Sequence, residues 1–567
     1  MADTTHNSTT TPDGAPTAPG FVSQANLISR LTLVSRVFGL LRDKACSYFL
    51  GVGTEWSAFW MGFQVPNLFR RIFGEGALTA VFLPVYRDVQ QKHGEATAAK
   101  LAQAVLTSLV LILGSLIAIG ELFLVPAALN PHVLPANRLA LAMIAIMLPY
   151  ALFVCVVALA GAICANHHRF AAQAASPIIL NILMCSAAAV PAWVLSAREP
   201  LHLRLYWLAG AVLLAGLVQM TAMMPSMIAS GIRPRWVLTT AIPGFGAILR
   251  NMLPMIAGMS VVQLNTFMAS QIAWWLSPDG HGGHTTFSFL HWTVHLPMLA
   301  GALGKLSVAQ RIYLLPVGVF GVATATAIFP RLAAAAAQRD QAAMKQLLQT
   351  AMRKSLFLSV PTTAGMLLIA PLLITSIYFG GRVSAADIER AVWATRWFCM
   401  GIWAFELQMI LLRAFYAMQD ARTPLKIAVS MVALNFSLNL TLVWFMQEGG
   451  LAASTSICAI VQCLLLLLIL RRRIGRLGLS SMVTLIARCV AATAVMIFFA
   501  GSLDYGLATM AWFGPQHRLL GAIVRLPVVL AVAAGVYGLM ARWLNIAELR
   551  TAPVLRRFAK LAPHTGV

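Results

Sequence analysis

The sequence predicts an all-α polytopic membrane protein of about 14 transmembrane helices, with two pseudo-symmetric six-helix lobes followed by two extra helices. Three observations carry this reading. Of 567 residues, 59% are apolar and only 10% charged, against about 25% charged in a soluble domain; the mean hydropathy is +0.79. Apolar stretches of the roughly 20 residues needed to cross a bilayer recur along the whole chain. Segments of the first half are echoed in the second. The net charge of +23 would suit a nucleic-acid binder, but its distribution assigns it to the membrane instead. Eight cysteines show neither a C-x-x-C pair nor zinc-ligand spacing, so neither a disulfide framework nor a redox motif is expected.

Residues 1–23 are rich in Thr, Pro and Gly and are expected to form a disordered cytoplasmic tail. No short apolar core with a small-residue cleavage site precedes the first long segment, so that segment is expected to act as its own targeting signal. Spans are predicted near 27–50, 57–83, 101–128, 138–165, 171–197 and 203–230, composing an N-terminal lobe over 24–230. A second lobe over 247–470 holds spans near 247–276, 299–330, 353–380, 391–417, 424–446 and 449–470. Two further helices lie near 481–501 and 518–544, before a basic cytoplasmic tail at 545–567. The first, second and eighth spans are the least apolar, so a hydropathy scan is expected to miss them. With the N-terminus inside, 23 Lys and Arg fall on inside connections and the C-terminal tail and 7 on outside connections. This bias orients the chain with both termini cytoplasmic. Contact with anionic lipid explains these charges better than DNA does.

The repeat is local but ordered. Phe82-Leu83-Pro84 and Ile328-Phe329-Pro330 each end an apolar run and lead into a polar helix. ANHHRF (165–170) and AMQDARTP (417–424) each precede a span, bearing Asn181 and Asn435 respectively. The offsets, 246 to 254 residues, contain an even number of spans and so imply parallel halves around a central site, a common transporter plan.

Eleven basic residues remain inside predicted spans, and most concentrate in the first, second and eighth: Arg30, Arg36, Arg42, Lys44, Arg70, Arg71 and Arg311. Only Asp43 and Glu75 oppose them there. A charge at mid-bilayer costs at least about 2.5–3.5 kcal/mol, so such groups face a cavity or a partner. A wet cavity with surplus positive charge suits an anion, because guanidinium pairs bidentately with phosphate. Arg36 and Arg42 lie about 120° apart on an ideal helix, so their convergence calls for a bend, for which Gly39 is the candidate. Arg413, Arg488 and Arg525 read as snorkelling from span ends. Arg396 and Glu406 are nearly three turns apart, too far to pair on one helix.

Two strings are specific: Ser35-Arg36-Val37-Phe38-Gly39-Leu40-Leu41-Arg42-Asp43, and Val65-Pro66-Asn67-Leu68-Phe69-Arg70-Arg71-Ile72-Phe73-Gly74-Glu75-Gly76-Ala77-Leu78. Weaker support comes from Ala309-Gln310-Arg311, Gly318-Val319-Phe320-Gly321, and Asp420 with Thr423-Pro424. Together they resemble the MurJ (MviN) family of lipid II flippases, within the multidrug/oligosaccharidyl-lipid/polysaccharide exporter superfamily, over about residues 24–545. The resemblance implies an inner-membrane flippase without nucleotide hydrolysis. It would move undecaprenyl-pyrophosphate-linked disaccharide-pentapeptide outward for peptidoglycan synthesis by alternating access of two lobes. It further implies that Arg36, Arg42, Arg70 and Arg311 hold the pyrophosphate, with Gly39, Asp43, Arg71 and Glu75 supporting or gating. Residues 481–544 would form a groove for the lipid tail. No cofactor is implied; coupling to membrane potential or an ion gradient is open, and peptidoglycan synthesis proteins are possible partners. The chain departs from the family pattern at Ser57, Gln310 and Leu314, where relatives carry acids. That puts proton coupling through those positions in doubt.

The outside loop 277–305 carries His281, His284, His291 and His295. No metal site is expected overall, yet His291 and His295, spaced i,i+4, would share a face on a helix as zinc ligands can. The plainer expectation is a solvated loop with an interfacial helix anchored by Trp292. Rival readings are a flippase for another lipid-linked oligosaccharide, and a cation-coupled drug exporter, which should carry more acids in its cavity. A membrane glycosyltransferase should carry an outer domain or an Asp/Glu/His constellation, neither of which is found. Gly304-Lys305 lacks the remainder of a phosphate-binding loop.

Overall fold

The computed structural model describes residues 19–194, 200–289, 291–475, 478–510 and 517–551. Of the tails expected at 1–23 and 545–567, residues 1–18 and 552–567 lie outside these residues; 19–23, expected to be disordered, open the first helix, and Ala547–Thr551 form a 3-10 turn. Every predicted span holds helix. α1 (Pro19–Leu50) is followed by α2 (Thr54–Phe69), a π-helical segment (Arg70–Ala77) and α3 (Leu78–Leu129). Positive φ at Gly94 (82°) interrupts α3 where the second span gives way to the third, so the polar connection is a break rather than a loop. The fourth span is α4 (Pro135–Met147) with α5 (Tyr150–Asn166), and α6 (Ala171–Val194) and α7 (Leu201–Ala229) complete the first half. The second half runs through α8 (Phe245–Trp275), α9 (Ala302–Pro316), a second π segment (Val317–Gly321), α10 (Val322–Ala337), α11 (Gln341–Tyr378), α12 (Ala385–Cys399), α13 (Ile402–Ala417), α14 (Arg422–Met446) and α15 (Glu448–Ile474). α16 (Leu479–Ala508) and α17 (Arg518–Trp543) close the described chain.

Among the described residues ten helices are long and apolar enough to cross a membrane, or eleven with α12 and α13 taken as one span bent by 42°. The first and second spans fall short, as expected, but the eighth does not. The Ala-, Val- and Ile-rich run after Arg311 carries Ala302–Ala337 over the threshold. The seventh span holds α8, some of whose side chains lie outside the described residues, so it does not enter this count.

The two π segments sit at matching places in the two halves. Each lies close behind a proline, Pro66 or Pro316, and contains glycine. Proline withholds an N–H from the i→i−4 ladder and glycine relaxes the backbone, so the register widens there. The packing echoes as well: α1 lies on α6, and α8 on α14. Close approach comes from small residues, since lipid supplies no hydrophobic drive between helices. A Cβ on Gly62 would sit 2.7 Å from the Met143 backbone carbon, which is how near α2 comes to α4. α16 and α17 pack on each other and on α11. Arg525 does not snorkel; it pairs with Asp504 at 2.5 Å.

The insertion is not helical. A 3-10 turn (Pro278–His281) leads to an antiparallel hairpin, β1 (Thr286–Phe289) and β2 (Trp292–His295), with Thr286 opposite His295. His291 occupies the turn with φ 69°. Four residues along extended chain separate the two Cα atoms by up to about 13 Å, so the chelating spacing of a helix is lost. Among the described residues no group of three His, Cys, Asp or Glu could hold a metal ion.

Candidate anion site and its gate

α1 presents Arg42 and Asp43 side by side, and α9 presents Arg311 to the same place. Arg42 holds Asp43 Oδ1 through Nε at 3.1 Å and Nη2 at 2.8 Å, and donates from Nη1 to Asn181 Oδ1 at 2.9 Å. Arg311 forms an ion pair with the same Asp43 oxygen and lies over the Trp60 ring at 5.0 Å from its centroid. One carboxylate thus holds two guanidinium groups from opposite halves of the chain. Cation–π contact suits a partly desolvated guanidinium. Asn181 on α6 braces the arrangement, also donating to Ser35 O at 3.1 Å. The space beside Asp43 and Arg311, walled by Ser47, Trp56, Ser307 and Tyr378, holds only about 10 Å³. Here the two arginines are pulled together and the gap is shut.

The other predicted arginines are not in that contact. α1 runs unbroken past Gly39, so the expected bend is absent; Gly39 instead faces Asn181. Arg36 is exposed, six residues and about 9 Å of helix from Arg42. Arg70 begins the first π segment, with Nε 3.2 Å from Asn67 Oδ1. Arg71 donates to Gln263 Oε1 on α8 at 3.1 Å. The Glu75 side chain lies outside the described residues. Leu314 is exposed, and Arg396 is exposed and makes no pair with buried Glu406.

A second set of polar contacts, unread in the sequence, ties the halves at the hairpin end. Asp279 accepts from Thr54 Oγ1 at 2.7 Å and from Gly301 N at 3.0 and 3.2 Å. Burial pushes its carboxyl up from the usual range, while the Thr54 and Gly301 hydrogen bonds and the Lys305 charge pull it back. Ser57, fully buried, accepts from Gly304 N at 3.0 Å and donates to Gly53 O at 3.0 Å. Within the second half, Lys305 meets Asp387 at 2.9 Å and Arg390 pairs with Glu448, bracing that side of the contact. Spacing along the chain gives no hint of partners so far apart. The hydroxyl at position 57 works as a neutral latch here.

At the opposite end of the bundle, Arg473 meets Asp420 at 2.5 Å and Thr423 N donates to Asp420 at 3.0 Å. The Thr423 hydrogen bonds, with Arg473, hold the Asp420 carboxyl down at about 2. A cavity of about 1380 Å³ opens between α10, α11, α16 and α17. Its wall is mostly apolar, from Val319 and Phe320 to Leu530 and Ala534, with Arg331 and Lys354 also present.

Residues 46–510 match the family described as lipid II flippase MurJ. The chain belongs to that family. The match begins after Arg36 and Arg42, so the first arginine string stands outside it. Among MurJ relatives, a probable lipid II flippase MurJ of Vibrio cholerae is 29% identical over 515 residues, covering 87% of this chain and 91% of its own. The lipid II flippase MurJ of Burkholderia cenocepacia is 27% identical over 522 residues, covering 90% and 95%. The fold is similar to that of a solved lipid II flippase MurJ in an inward closed conformation, with a TM-score of 0.70 at 19% identity over 91% of this chain and 99% of that one. A multidrug resistance MATE family transporter of the MOP superfamily, inward-facing, gives 0.61 at 15% identity over 81% and 99%. The chain is therefore an essentially all-α, multi-pass membrane protein.

Proposed function

We propose that this protein flips lipid II, the undecaprenyl-pyrophosphate-linked peptidoglycan precursor, from the inner to the outer leaflet of a bacterial cytoplasmic membrane. The observation that carries the reading is the Arg42–Asp43–Arg311 cluster. Two guanidinium groups on different halves share one anion within the spanning region. A pyrophosphate entering between the halves competes with Asp43 for both, and does so bidentately. Arg36 and Arg70 would add to the positive charge that draws the anion in. Neutralising the cluster changes which packing of the halves is favoured, and that differential interaction is what an alternating-access cycle requires. The polyprenyl tail would lie in the 1380 Å³ groove. The excess of Lys and Arg on alternate connections supports a cytoplasmic position for both termini. No nucleotide hydrolysis is involved; membrane potential or an ion gradient sets the direction. The surplus of arginine over acid favours this reading over that of a cation-coupled drug exporter.

The test is rescue of a bacterium depleted of its own lipid II flippase. The wild-type chain should rescue, and Arg36→Ala and Arg311→Ala, at equal expression, should not. Rescue by all three would discard the arginine site. Failure of the correctly inserted wild type would discard lipid II as the substrate. Full function of the Lys variants of Arg36, Arg42, Arg70 and Arg311 would count against bidentate recognition.

A further inference from the structure

Glu406 is fully buried on α13, near the middle of the α12–α13 span. Among the described residues it forms no ion pair, and its polar neighbour is the Ser355 hydroxyl on α11, itself buried. One turn along the same face of α11, Ser359 is likewise buried with a free hydroxyl. On the other side, the last residue of the second π segment presses against it. A Cβ on Gly321 would lie 3.2 Å from Glu406 Cγ and 3.2 Å from Met409 Sδ.

The helices packed on α13 bring no counter-charge. α10, α11, α14, α15 and the π segment surround it. Arg353 is engaged by Glu548, Arg473 by Asp420, and Glu448 by Arg390. Arg331 and Lys354 line the groove. Arg422 and Lys426 stand in the opening turns of α14. On α13 itself Arg413 lies over Phe329. On α9, Tyr313 stacks against Phe405 and Phe398 rather than reaching the carboxyl. An ionised carboxylate would stand uncompensated in an apolar interior. This packing therefore suits the proton-loaded form. One carboxyl beside one or two hydroxyls is a thin shell for a metal cation, which takes about six oxygens; a proton needs a single oxygen.

We propose that Glu406 is a proton-binding site of the C-terminal half, loaded in the packing seen here and emptied when α9–α10 moves at the π segment and water reaches the carboxyl. The O–H bond forms with a proton drawn from water on one side and breaks to water on the other, with no other reactant. Arg311 and Gly321 lie on the same span, ten residues apart. Displacement of Arg311 by an anion is thereby passed through the pliable π segment to the wall of the Glu406 pocket. This rests on the reading of the chain as an alternating-access transporter.

The test uses the full chain in liposomes without any lipid-linked substrate, so its failure is separate from a failure of lipid II as cargo. Spin labels go on Gln91→Cys and Gln338→Cys, exposed positions from the two halves, while the eight native cysteines are buried or half-buried. The interlabel distance should shift with pH as one proton titrates. Glu406→Gln should hold the low-pH distance at every pH, and Glu406→Asp should keep the shift at a displaced midpoint. A pH-independent distance in the labelled parent, or a Glu406→Gln variant that titrates like it, overturns the proposal. Ser355→Ala guards against misfolding of the Gln variant: it should move the midpoint, and an unchanged midpoint counts against the site.

Discussion

Asp43 sets the charge state of the site, because among the described residues it is the acid that offsets Arg42 and Arg311 where they meet. Asp43→Asn leaves two half-buried cations facing each other; losing one partner of a fully buried pair costs about 3–5 kcal/mol, and the partial exposure here lowers that. The variant should unfold at lower temperature in detergent. Inorganic pyrophosphate should restore more stability to it than to wild type; equal gains would show that the anion does not take Asp43's place. Asp420 makes a separate contribution. Its carboxyl is held at about 2, below the ordinary 3.8. The stabilisation is therefore fully present above about pH 4 and lost as pH falls through 2. The melting-temperature difference between wild type and Asp420→Asn should be constant above that window and vanish below it. A difference that persists at pH 2 would refute the linkage.

At the level of elements, the latch between the α1–α2 turn and the start of α9 relies on close backbone approach. A Cβ at Gly304 would lie 2.5 Å from Val52 O, and the Gly304 N–H is the one that Ser57 accepts. Gly304→Ala should destabilise this closed packing by about 1–3 kcal/mol through overpacking. Thermal unfolding measures it, and an unchanged melting temperature would mean that the latch is slack. The two π segments are the other element-scale device. Each stands in the span that also carries site arginines, Arg70 and Arg71 in one and Arg311 in the other. A widened turn bends more easily than the α-helix on either side, so motion of these spans would be concentrated beside the proposed anion site.

Across the whole molecule, the Arg42–Arg311 contact and the hairpin-end ties shut the gap between the halves, while the apolar groove along α11, α16 and α17 stays open. Under the proposed function, that arrangement would separate a headgroup, handled between the halves, from a chain of isoprene units that stays in contact with lipid. Ala534 is exposed in the groove wall. Ala534→Trp should therefore reduce rescue of flippase-depleted cells while leaving the pyrophosphate-induced thermal shift unchanged. Undiminished rescue would remove the groove from the transport path.

Composition and periodicity determined the membrane class, the positions of the helical spans and the list of arginines out of place in lipid, because hydropathy and charge are properties of each segment taken alone. The echo of the two halves was legible too, and the paired packing of α1 on α6 and α8 on α14 agrees with it, although Asn181 bonds α1 while Asn435 bonds Ser454 on α15. The tertiary structure decided which charges meet. Arg42 and Arg311 are 269 positions apart and share Asp43 only because α1 and α9 are brought together. The Asp279, Lys305 and Glu448 contacts depend in the same way on helices distant in sequence. The hairpin replaced an expected helix because its pairing, Thr286 with His295, is a cross-strand relation invisible to i,i+4 spacing. Glu406 read in the sequence as an ordinary acid on an apolar helix. Its isolation is set by α10, α11, α14 and α15, and burial without a counter-charge is a property of the assembled bundle.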